Sequence, residues 1–444
     1  MQKKVALHNL GCKVNAYEMD AMQQLLEEAG YTIVPFAPGA DIYLINTCTV
    51  TNIADRKSRQ MLHKAKKMNP DAIVVAAGCY VQADTKRLQQ DEAVDLIIGN
   101  NCKKDLVSIL QEYEKDRSRR EQVIPINRTH EYENLSIDRT GEHTRAYIKV
   151  QDGCNQFCTY CIIPYARGRV RSRKISSVLE EVRRLAASGY QEVVLTGIHL
   201  SSYGVDFTED QKSDLLELIQ TIHEVEGIHR IRLGSLEPRI ITDEFVQGIS
   251  RLSKICPHFH LSLQSGCDAT LKRMNRRYNT EEYREKCRLL RRYFEKPALT
   301  TDVIVGFPGE TEEEFAESLA FVEEIHFYET HIFKYSRRQG TKAAKMPDQI
   351  PEAVKGARSD QMLALGEKHA REYEEYWIGR KMEILLEEPY TAADGTQWIT
   401  GHTPEYVKAA VPAGSGKSGD TVRAAAEGYL EGHILACRVD RQNC

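Results

Sequence analysis

Short apolar runs alternate with stretches of helical spacing through the first part of the chain. Four runs, at residues 4–8, 41–45, 73–77 and 96–98, have the length and composition of buried strands. Between the first two runs, residues 16–29 place Met19, Met22 and Leu26 along one helical face. Strands that alternate with helices predict a small α/β domain, Rossmann-like, with a mostly parallel sheet.

The same alternation resumes after residue 141. Six apolar runs are predicted as strands, at residues 146–150, 192–196, 230–233, 258–263, 298–305 and 330–333. The intervening stretches have helical spacing, and residues 351–376 extend the pattern as one long helix. Six such units favour an incomplete βα barrel over a doubly wound sheet.

The pattern changes again after Gly379, where apolar and polar residues alternate. Five segments, at 382–387, 397–400, 406–411, 421–426 and 433–439, are broken by Gly, Asp and Pro and predict a small β-barrel. Residues 116–140 are polar with little periodicity and are predicted as a linker. The predicted organisation is therefore 1–115, a linker at 116–140, a barrel at 141–375 and a tail domain at 376–441.

Composition narrows the class of protein. The 444 residues are 41% apolar and carry a formal net charge of -4, which suits soluble domains and argues against a uniformly basic nucleic-acid binder. The sequence shows neither a signal peptide nor an apolar run long enough for a bilayer, so a cytoplasmic protein with no membrane partner is expected. Twelve cysteines in a reducing compartment indicate metal binding or catalysis rather than disulfides.

The densest group of cysteines follows the first predicted barrel strand. Cys154, Cys158 and Cys161 have the spacing C-x-x-x-C-x-x-C on one short loop, where their thiolates can converge on one metal site. Three ligands leave one iron of a four-iron cluster open for a substrate or cofactor. A zinc knuckle or a redox pair is the alternative, but a zinc site normally needs a fourth Cys or His close by.

Three further cysteines each follow a predicted strand of the first domain. Cys12, Cys48 and Cys79 come after the runs at 4–8, 41–45 and 73–77. Since the carboxyl ends of parallel strands share one edge, these residues are predicted to meet as a second three-cysteine site. The remaining cysteines at Cys102, Cys256, Cys287, Cys437 and Cys444 lack partners at ligand spacing and are interpreted as structural or incidental.

These motifs resemble those of the radical S-adenosylmethionine (SAM) methylthiotransferases. The stretches Asn9-Leu10-Gly11-Cys12, Asn46-Thr47-Cys48 and Ala77-Gly78-Cys79 are similar to the family's N-terminal domain, and the Cys154 loop to its radical SAM motif. The resemblance implies a partial (β/α)6 barrel and two [4Fe-4S] clusters. The cluster on the second trio binds and cleaves S-adenosyl-L-methionine, and the auxiliary cluster on the first trio carries the sulfur.

The resemblance also implies cofactor contacts at the ends of the barrel strands. These loops have glycines and polar side chains where a ligand approaches, with an ordinary βα turn as the alternative for each. The predicted cofactor contacts are Thr196, Gly197, Ser235, Glu237, Gln264, Ser265, Asp302 and Gly306.

RNA binding is expected in two places. Arg167, Arg169, Arg171 and Arg173 alternate, so an extended segment would project them to one side beside the second trio, where they would contact phosphate. A solvated basic stripe is the alternative, and it is also the main interpretation of the basic helix that begins near Arg56. The tail resembles a TRAM domain, an RNA-binding module, with contacts expected at Tyr406 and Lys408.

Within the family, Gly11-Cys12-Lys13-Val14-Asn15-Ala16-Tyr17-Glu18 is most similar to the branch that acts on N6-threonylcarbamoyladenosine. The implied reaction places a methylthio group on carbon 2 of that adenosine at position 37, in the anticodon loop of tRNA. One SAM is the radical source, a second is the methyl donor, and flavodoxin or ferredoxin is the electron donor. The alternatives are methylthiolation of a ribosomal-protein aspartate, and a non-catalytic iron–sulfur protein that binds RNA and senses redox state.

Overall fold

The computed structural model describes residues 2–118, 120–140 and 144–439. The predicted tail residues 440–441, Cys444 and the linker residue Arg119 lie outside these ranges. Within them, none of the helices combines the length and the apolar composition needed to cross a membrane.

A parallel sheet of six strands forms the first domain, in the order β2-β1-β3-β4-β5-β6. Apolar side chains cover both faces, as expected for a parallel sheet with helices on each side. Its strands are β1 (Lys4–Asn9), β2 (Thr32–Val34), β3 (Ile42–Thr47), β4 (Ile73–Gly78), β5 (Leu96–Ile98) and β6 (Glu121–Gln122). Its helices are α1 (Lys13–Glu28), α2 (Asn52–Met68), α3 (Cys79–Ala83), α4 (Thr85–Gln89) and α5 (Leu106–Lys115).

The segment predicted as a linker, residues 116–140, packs against both of the domains that it connects. β6 pairs with β5 and extends the first sheet. Leu135 and Ile137 are buried in the core of the second domain, and the Tyr17 hydroxyl donates to the Leu135 carbonyl at 2.6 Å. Polar composition concealed these contacts, because they depend on a few apolar positions and on backbone groups.

The second domain is the predicted incomplete barrel. Six parallel strands follow the order β7-β9-β10 and β11-β12-β13, and a parallel bridge between Leu236 and Leu261 joins the two sheets. The strands are β7 (Ala146–Asp152), β8 (Arg171–Ser172), β9 (Glu192–Gly197), β10 (Arg230–Leu233), β11 (His258–His260), β12 (Ala298–Val305) and β13 (Glu329–Lys334). β8 is antiparallel to β7 at the barrel edge, where α1 also packs along β7.

Helices cover the outside of this incomplete six-stranded barrel, which is called the half barrel below. Two of them, α11 and α12, begin with complete capping boxes, at Asn279 with Glu282 and at Thr311 with Glu314. The helices are α6 (Ile163–Arg167), α7 (Ile175–Ala187), α8 (Leu215–His223), α9 (Asp243–Ser250), α10 (Asp268–Arg273), α11 (Thr280–Tyr293), α12 (Glu312–Ile325) and α13 (Glu352–Glu375).

The tail is a closed five-stranded barrel in the order β14-β15-β16-β18-β17. It docks against the amino ends of the half-barrel strands, since Ala298 and Tyr328 belong to its apolar core and Arg230 Nη1 donates to the His402 carbonyl at 2.9 Å. Its strands are β14 (Lys381–Thr391), β15 (Gln397–His402), β16 (Lys408–Pro412), β17 (Thr421–Glu431) and β18 (Ile434–Val439).

Candidate functional site

The first cysteine trio lies at one edge of the first sheet. Cys12, Cys48 and Cys79 directly follow the neighbouring strands β1, β3 and β4. Gly11 has a φ of 116°, and a Cβ there would lie 3.1 Å from the Cys48 Cβ. Glycine is therefore needed for the two cysteine loops to approach each other.

Cys79 also contacts the second domain. Arg167 Nε donates to the Cys79 Sγ at 3.1 Å, and Asn100 Nδ2 lies 3.7 Å from the same sulfur. Asn100 Nδ2 further donates to the Ala166 carbonyl at 2.7 Å. The first trio therefore faces α6, the short helix that follows the second trio in sequence.

The second trio lies on the loop after β7. The Cys161 amide donates to the Cys158 carbonyl at 3.0 Å, which closes a turn between the last two thiols. Arg276 Nη1 donates to the Cys158 Sγ at 3.3 Å. Burial, followed by the neighbouring Cys158 thiol, raises the pKa of Cys161 to about 12.

The residues present fit two thiolate-bound metal clusters. Burial, followed by the Cys79 and Cys12 thiols, raises the pKa of Cys48 to about 11, against a hydrogen bond from the Val50 backbone. Buried thiols that raise one another's pKa become thiolates when a cation binds among them. Each trio also has a guanidinium that donates to sulfur, which would stabilise anionic ligands.

The arginines at 167, 171 and 173 are buried, which makes the predicted RNA-binding stripe wrong for these three. Residues 163–167 are helical and Gly168 turns the chain with a φ of 74°, so the four arginines do not lie on one extended strand, and only Arg171 lies in β8. Arg167 pairs with Glu18 at 2.7 Å and with Asp152 at 3.2 Å, and Arg173 pairs with Glu181. The alternation reflects paired buried charges rather than an exposed face.

A network of buried charges surrounds Arg167. Glu18 also pairs with Lys103, and with Lys149 at 2.7 Å. Burial alone would raise the pKa of Glu18, but the cations of Arg167, Lys103 and Lys149 hold that pKa well below its usual range. The network therefore joins the first domain, through Glu18 and Lys103, to the half barrel, through Lys149 and Arg167.

Arg169 differs from its three neighbours because it is exposed. Its guanidinium lies 4.8 Å from the centroid of the Phe157 ring, directly before Cys158. Among the four arginines, only Arg169 can still contact phosphate as predicted, because the other three are buried.

Of the cofactor contacts predicted at the ends of β9 and β10, Glu237 is the one whose charge acts on the second trio. Thr196 is buried, and a Cβ on Gly197 would lie 2.9 Å from Gln151 Oε1, so this strand end is closely packed. Ser235 is exposed, whereas Glu237 is buried and accepts from Arg239 Nε at 2.8 Å. The Glu237 charge contributes to raising the pKa of Cys154, after burial and Cys158.

The remaining predicted cofactor contacts lie after β11 and on or after β12. Gln264 has a φ of 72°, and Ser265 is buried. Asp302 Oδ2 lies 3.3 Å from His260 Nε2, inside the half barrel. The Gly306 amide already donates to Glu310 Oε2 at 2.7 Å, and a Cβ on it would meet Lys355 Cγ at 2.3 Å. Packing against Lys355 thus accounts for Gly306 without a cofactor.

Tyr406 does not form a free RNA-binding surface. Its ring stacks on His258 at 4.7 Å and on His402 at 4.6 Å, between the guanidiniums of Arg145 and Arg232. It therefore closes the amino end of the half barrel, and its prediction as an RNA contact is corrected. Lys408 is half-buried, with its Nζ 3.7 Å from Glu388 Oε1.

Sequence reasoning missed several residues of this interface. Lys149 and Arg276 belong to no motif and were not singled out, and Glu18 was noted only as the last residue of the motif that begins at Gly11. A signal existed for Lys149, because it interrupts an otherwise apolar strand, and a charge in that position indicates a buried partner. Arg276 has no comparable signal, since its contact with Cys158 depends on the tertiary fold.

Comparisons with known proteins agree with this geometry. Residues 148–322 match the model of the radical SAM superfamily, and residues 4–99 match one described as uncharacterized protein family UPF0004. The radical SAM methyltransferase TsrM from Kitasatospora setae, solved with cobalamin and a [4Fe-4S] cluster, has a TM-score of 0.54 at 17% identity. The match covers 75% of this chain and 72% of that chain and shows a shared fold. The second domain thus has the radical SAM fold, and residues 148–322 match that superfamily.

Relatives at higher identity define the family. A protein of Bacillus subtilis (strain 168) named threonylcarbamoyladenosine tRNA methylthiotransferase MtaB is 42% identical, over 91% of this chain and 89% of its own. A tRNA-2-methylthio-N(6)-dimethylallyladenosine synthase of Pelotomaculum thermopropionicum is 37% identical, over 87% of each chain. The chain therefore belongs to the radical SAM methylthiotransferase family, whose enzymes use SAM and [4Fe-4S] clusters.

Proposed function

We propose that this enzyme transfers a methylthio group to carbon 2 of N6-threonylcarbamoyladenosine at position 37 of tRNA. The observation that carries the proposal is that Arg167, in the helix that follows Cys161, donates to the sulfur of Cys79, so the segment after one trio contacts a proposed ligand of the other. The names of relatives from Bacillus subtilis and Aquifex aeolicus, each 42% identical, support the substrate.

We propose Cys154, Cys158 and Cys161 as ligands of the radical SAM cluster and Cys12, Cys48 and Cys79 as ligands of the auxiliary cluster. When bound, the clusters and SAM would supply a radical able to abstract hydrogen from an unactivated C–H bond, together with the sulfur and methyl groups. The protein's own contribution is to bury Cys48, Cys79 and Cys154 and to hold the Cys79 loop against the segment that follows Cys161 through Arg167. The adenosine must leave its stack to enter this interface.

The remaining partners are part of the same proposal. The substrate site on the RNA is the anticodon loop, a flavodoxin or ferredoxin supplies electrons, and the enzyme works in the cytoplasm. The division into a domain at 1–115, a barrel at 141–375 and a TRAM-like tail at 376–441 is also proposed. The closed barrel of the tail supports that comparison.

Nucleoside mass spectrometry tests the substrate. tRNA from a deletion strain should accumulate N6-threonylcarbamoyladenosine and lack its 2-methylthio form, and the wild-type gene should restore it. A variant with Cys154, Cys158 and Cys161 changed to Ala serves as the inactive control. Unchanged methylthiolation in the deletion strain would refute the proposed substrate.

Iron content and SAM cleavage separate the roles of the two trios. Anaerobically reconstituted protein should hold about eight irons if both clusters are four-iron cubes. Replacing either trio by Ala should leave about half of that iron. The Cys154, Cys158 and Cys161 variant should form no 5′-deoxyadenosine, whereas the Cys12, Cys48 and Cys79 variant should still cleave SAM and make no methylthio product. Equal loss of cleavage in both variants would assign the first trio to structure.

A further inference from the structure

The interior of the half barrel is a polar chamber. Strand register aligns His260 with Thr300, Thr300 with Glu329, and Asp302 with His331. Because alternate residues share a face, these five side chains point away from the helices. The opposite positions, such as Leu299 and Val303, are buried in the apolar core beneath the helices.

This chamber is accessible and rich in imidazole. His331 is exposed, and Asp302 and Glu329 are only partly buried, as expected of walls that face solvent. The rings of His260 and His331 stack with centroids 5.7 Å apart. His260 Nδ1 lies 3.0 Å from Thr300 Oγ1, which orients the ring within the chamber.

Lys13 enters the chamber from the side that the barrel leaves open. It is the first residue of α1, directly after Cys12, and α1 packs against β7 and β9. After burial and Arg232, its charge lowers the pKa of His258, and it also opposes the rise in the pKa of Glu329 caused by burial. Its charge therefore acts on groups of both β11 and β13, and burial, Arg145 and Arg232 lower the pKa of Lys13 itself to about 8.

The side chain of Lys13 has no hydrogen bond or ion pair with the described residues. Glu192, the carboxylate whose charge opposes the lowering of the Lys13 pKa, is already paired with Arg232 at 2.7 Å and with Arg230 at 3.7 Å. Burial raises the pKa of Glu329, which favours its neutral form. A partly buried cation without a partner costs free energy, and a ligand with negative charge would remove that cost.

The names of the relatives identify the chemical difference that such a cation would recognise. Threonylcarbamoyl and dimethylallyl groups are carried on the same nitrogen of adenosine, and both names occur among relatives of this chain. The threonylcarbamoyl group ends in a carboxylate and a hydroxyl, whereas the dimethylallyl group is a hydrocarbon. Only the first offers a charge to an ammonium.

We infer that Lys13 binds the carboxylate of the threonylcarbamoyl group inside the half barrel and so selects this substrate. The inference rests on the proposed function and adds the residue that sets its specificity. The imidazoles of His260 and His331 line the same chamber and provide donors for the remaining polar atoms of the group. The first domain would thus contribute both a cluster ligand, Cys12, and the next residue, Lys13, which selects the substrate.

Matched RNAs test this assignment. Three anticodon stem-loops would carry N6-threonylcarbamoyladenosine, its methyl ester or unmodified adenosine, and binding would be measured anaerobically by fluorescence anisotropy. A charge-assisted hydrogen bond should make the wild type bind the acid about ten- to a hundredfold more tightly than the ester. Lys13→Met should bring this ratio close to one, and Lys13→Arg should keep most of it.

The ratio of the affinities for the acid and the ester is measured within each variant. A general loss of affinity or of iron therefore lowers both affinities and does not change the ratio. Lys115→Met is the matched control, because Lys115 is exposed at the end of α5, and it should keep the wild-type ratio. A wild-type ratio in Lys13→Met would overturn the inference. So would a wild-type enzyme that methylthiolates acid and ester equally well. An enzyme that converts neither form would instead refute the proposed function.

Discussion

Arg167 connects the two halves of the site at the scale of a single residue. Its Nε donates to the Cys79 sulfur, while its Nη atoms bond to Glu18, Asp152 and Asn15. A guanidinium suits this position because its fixed, planar donors can satisfy several acceptors at once. A lysine would offer one point charge and could not reach the sulfur and the carboxylates together.

Replacing Arg167 should therefore destabilise the interface. Arg167→Met leaves the buried Glu18 and Asp152 carboxylates with less positive charge, and breaking such a pair costs about 3–5 kcal/mol. Urea unfolding of the apoprotein measures this loss without interference from iron. Arg169→Met, at the exposed neighbour, should change the free energy of unfolding by no more than about 0.5 kcal/mol. Equal midpoints for the two variants would contradict the role given to Arg167.

At this scale the sequence predicted the cysteines well and the arginines poorly. Cys12, Cys48 and Cys79 follow strands, and the shared edge of a parallel sheet brought them together without further information. The arginines were assigned from alternation, which says where side chains point only if the segment is extended. A helix at 163–167 and buried partners distant in sequence, such as Glu18, decided the outcome instead.

Among the elements, strands with a clear apolar run were predictable even when short, and the two-residue strands β6 and β8 were not. β10, β12 and β5 have the predicted bounds because their apolar runs end abruptly. β6 and β8 contain two residues each, and so short a segment has no period to detect. These strands form through pairing with a neighbour, a contact that the local sequence does not record.

A histidine at the turn between β17 and β18 holds the tail barrel against α13. His433 Nδ1 lies 2.8 Å from Glu374 Oε1, and its Nε2 lies 2.8 Å from Glu367 Oε2. Burial opposes protonation, but the bonds to Glu367 and Glu374 raise the pKa of His433 above its ordinary value. The charged imidazole therefore fastens this turn to the helix.

This arrangement predicts a pH dependence for stability. A raised folded-state pKa gives stabilisation that is complete below the unfolded pKa of about 6.5 and is lost as pH rises through the folded-state value. The melting temperature of the wild type should exceed that of His433→Gln near pH 6, and the difference should shrink toward pH 9. The exposed His130→Gln is the control and should show no such trend. A difference independent of pH would contradict the contribution of this histidine.

In the whole molecule, the cysteine trios and the tail barrel lie at opposite ends of the strands. Both cysteine trios lie at the carboxyl ends of strands, whereas the tail barrel docks at the amino ends of β10, β11 and β12. An RNA that touches both must run along the side of the half barrel. Phosphate contacts near the chemistry then depend on cations that are exposed at the cysteine edge.

Exposed cations at Arg56, Lys57 and Arg169 meet this condition, and they replace the buried arginines in our expectation. Arg56 and Lys57 lie in the first turns of α2, which follows Cys48, and Arg169 follows Cys161. Each phosphate contact that is lost reduces the slope of log affinity against log salt by about 0.7–0.9. Changing all three residues to Ala should therefore weaken tRNA binding and reduce that slope by about two units.

The matched control removes three exposed cations from the opposite ends of helices. Lys115, Arg183 and Arg292 lie toward the carboxyl ends of α5, α7 and α11, which run back from the cysteine edge. Changing them to Ala removes the same formal charge, so a general effect of net charge on RNA attraction would appear equally in both variants. Binding titrations at several salt concentrations give both slopes. An equal reduction in the two variants would mean that phosphate contacts are not concentrated at the cysteine edge, whereas a wild-type slope in the control would place them there.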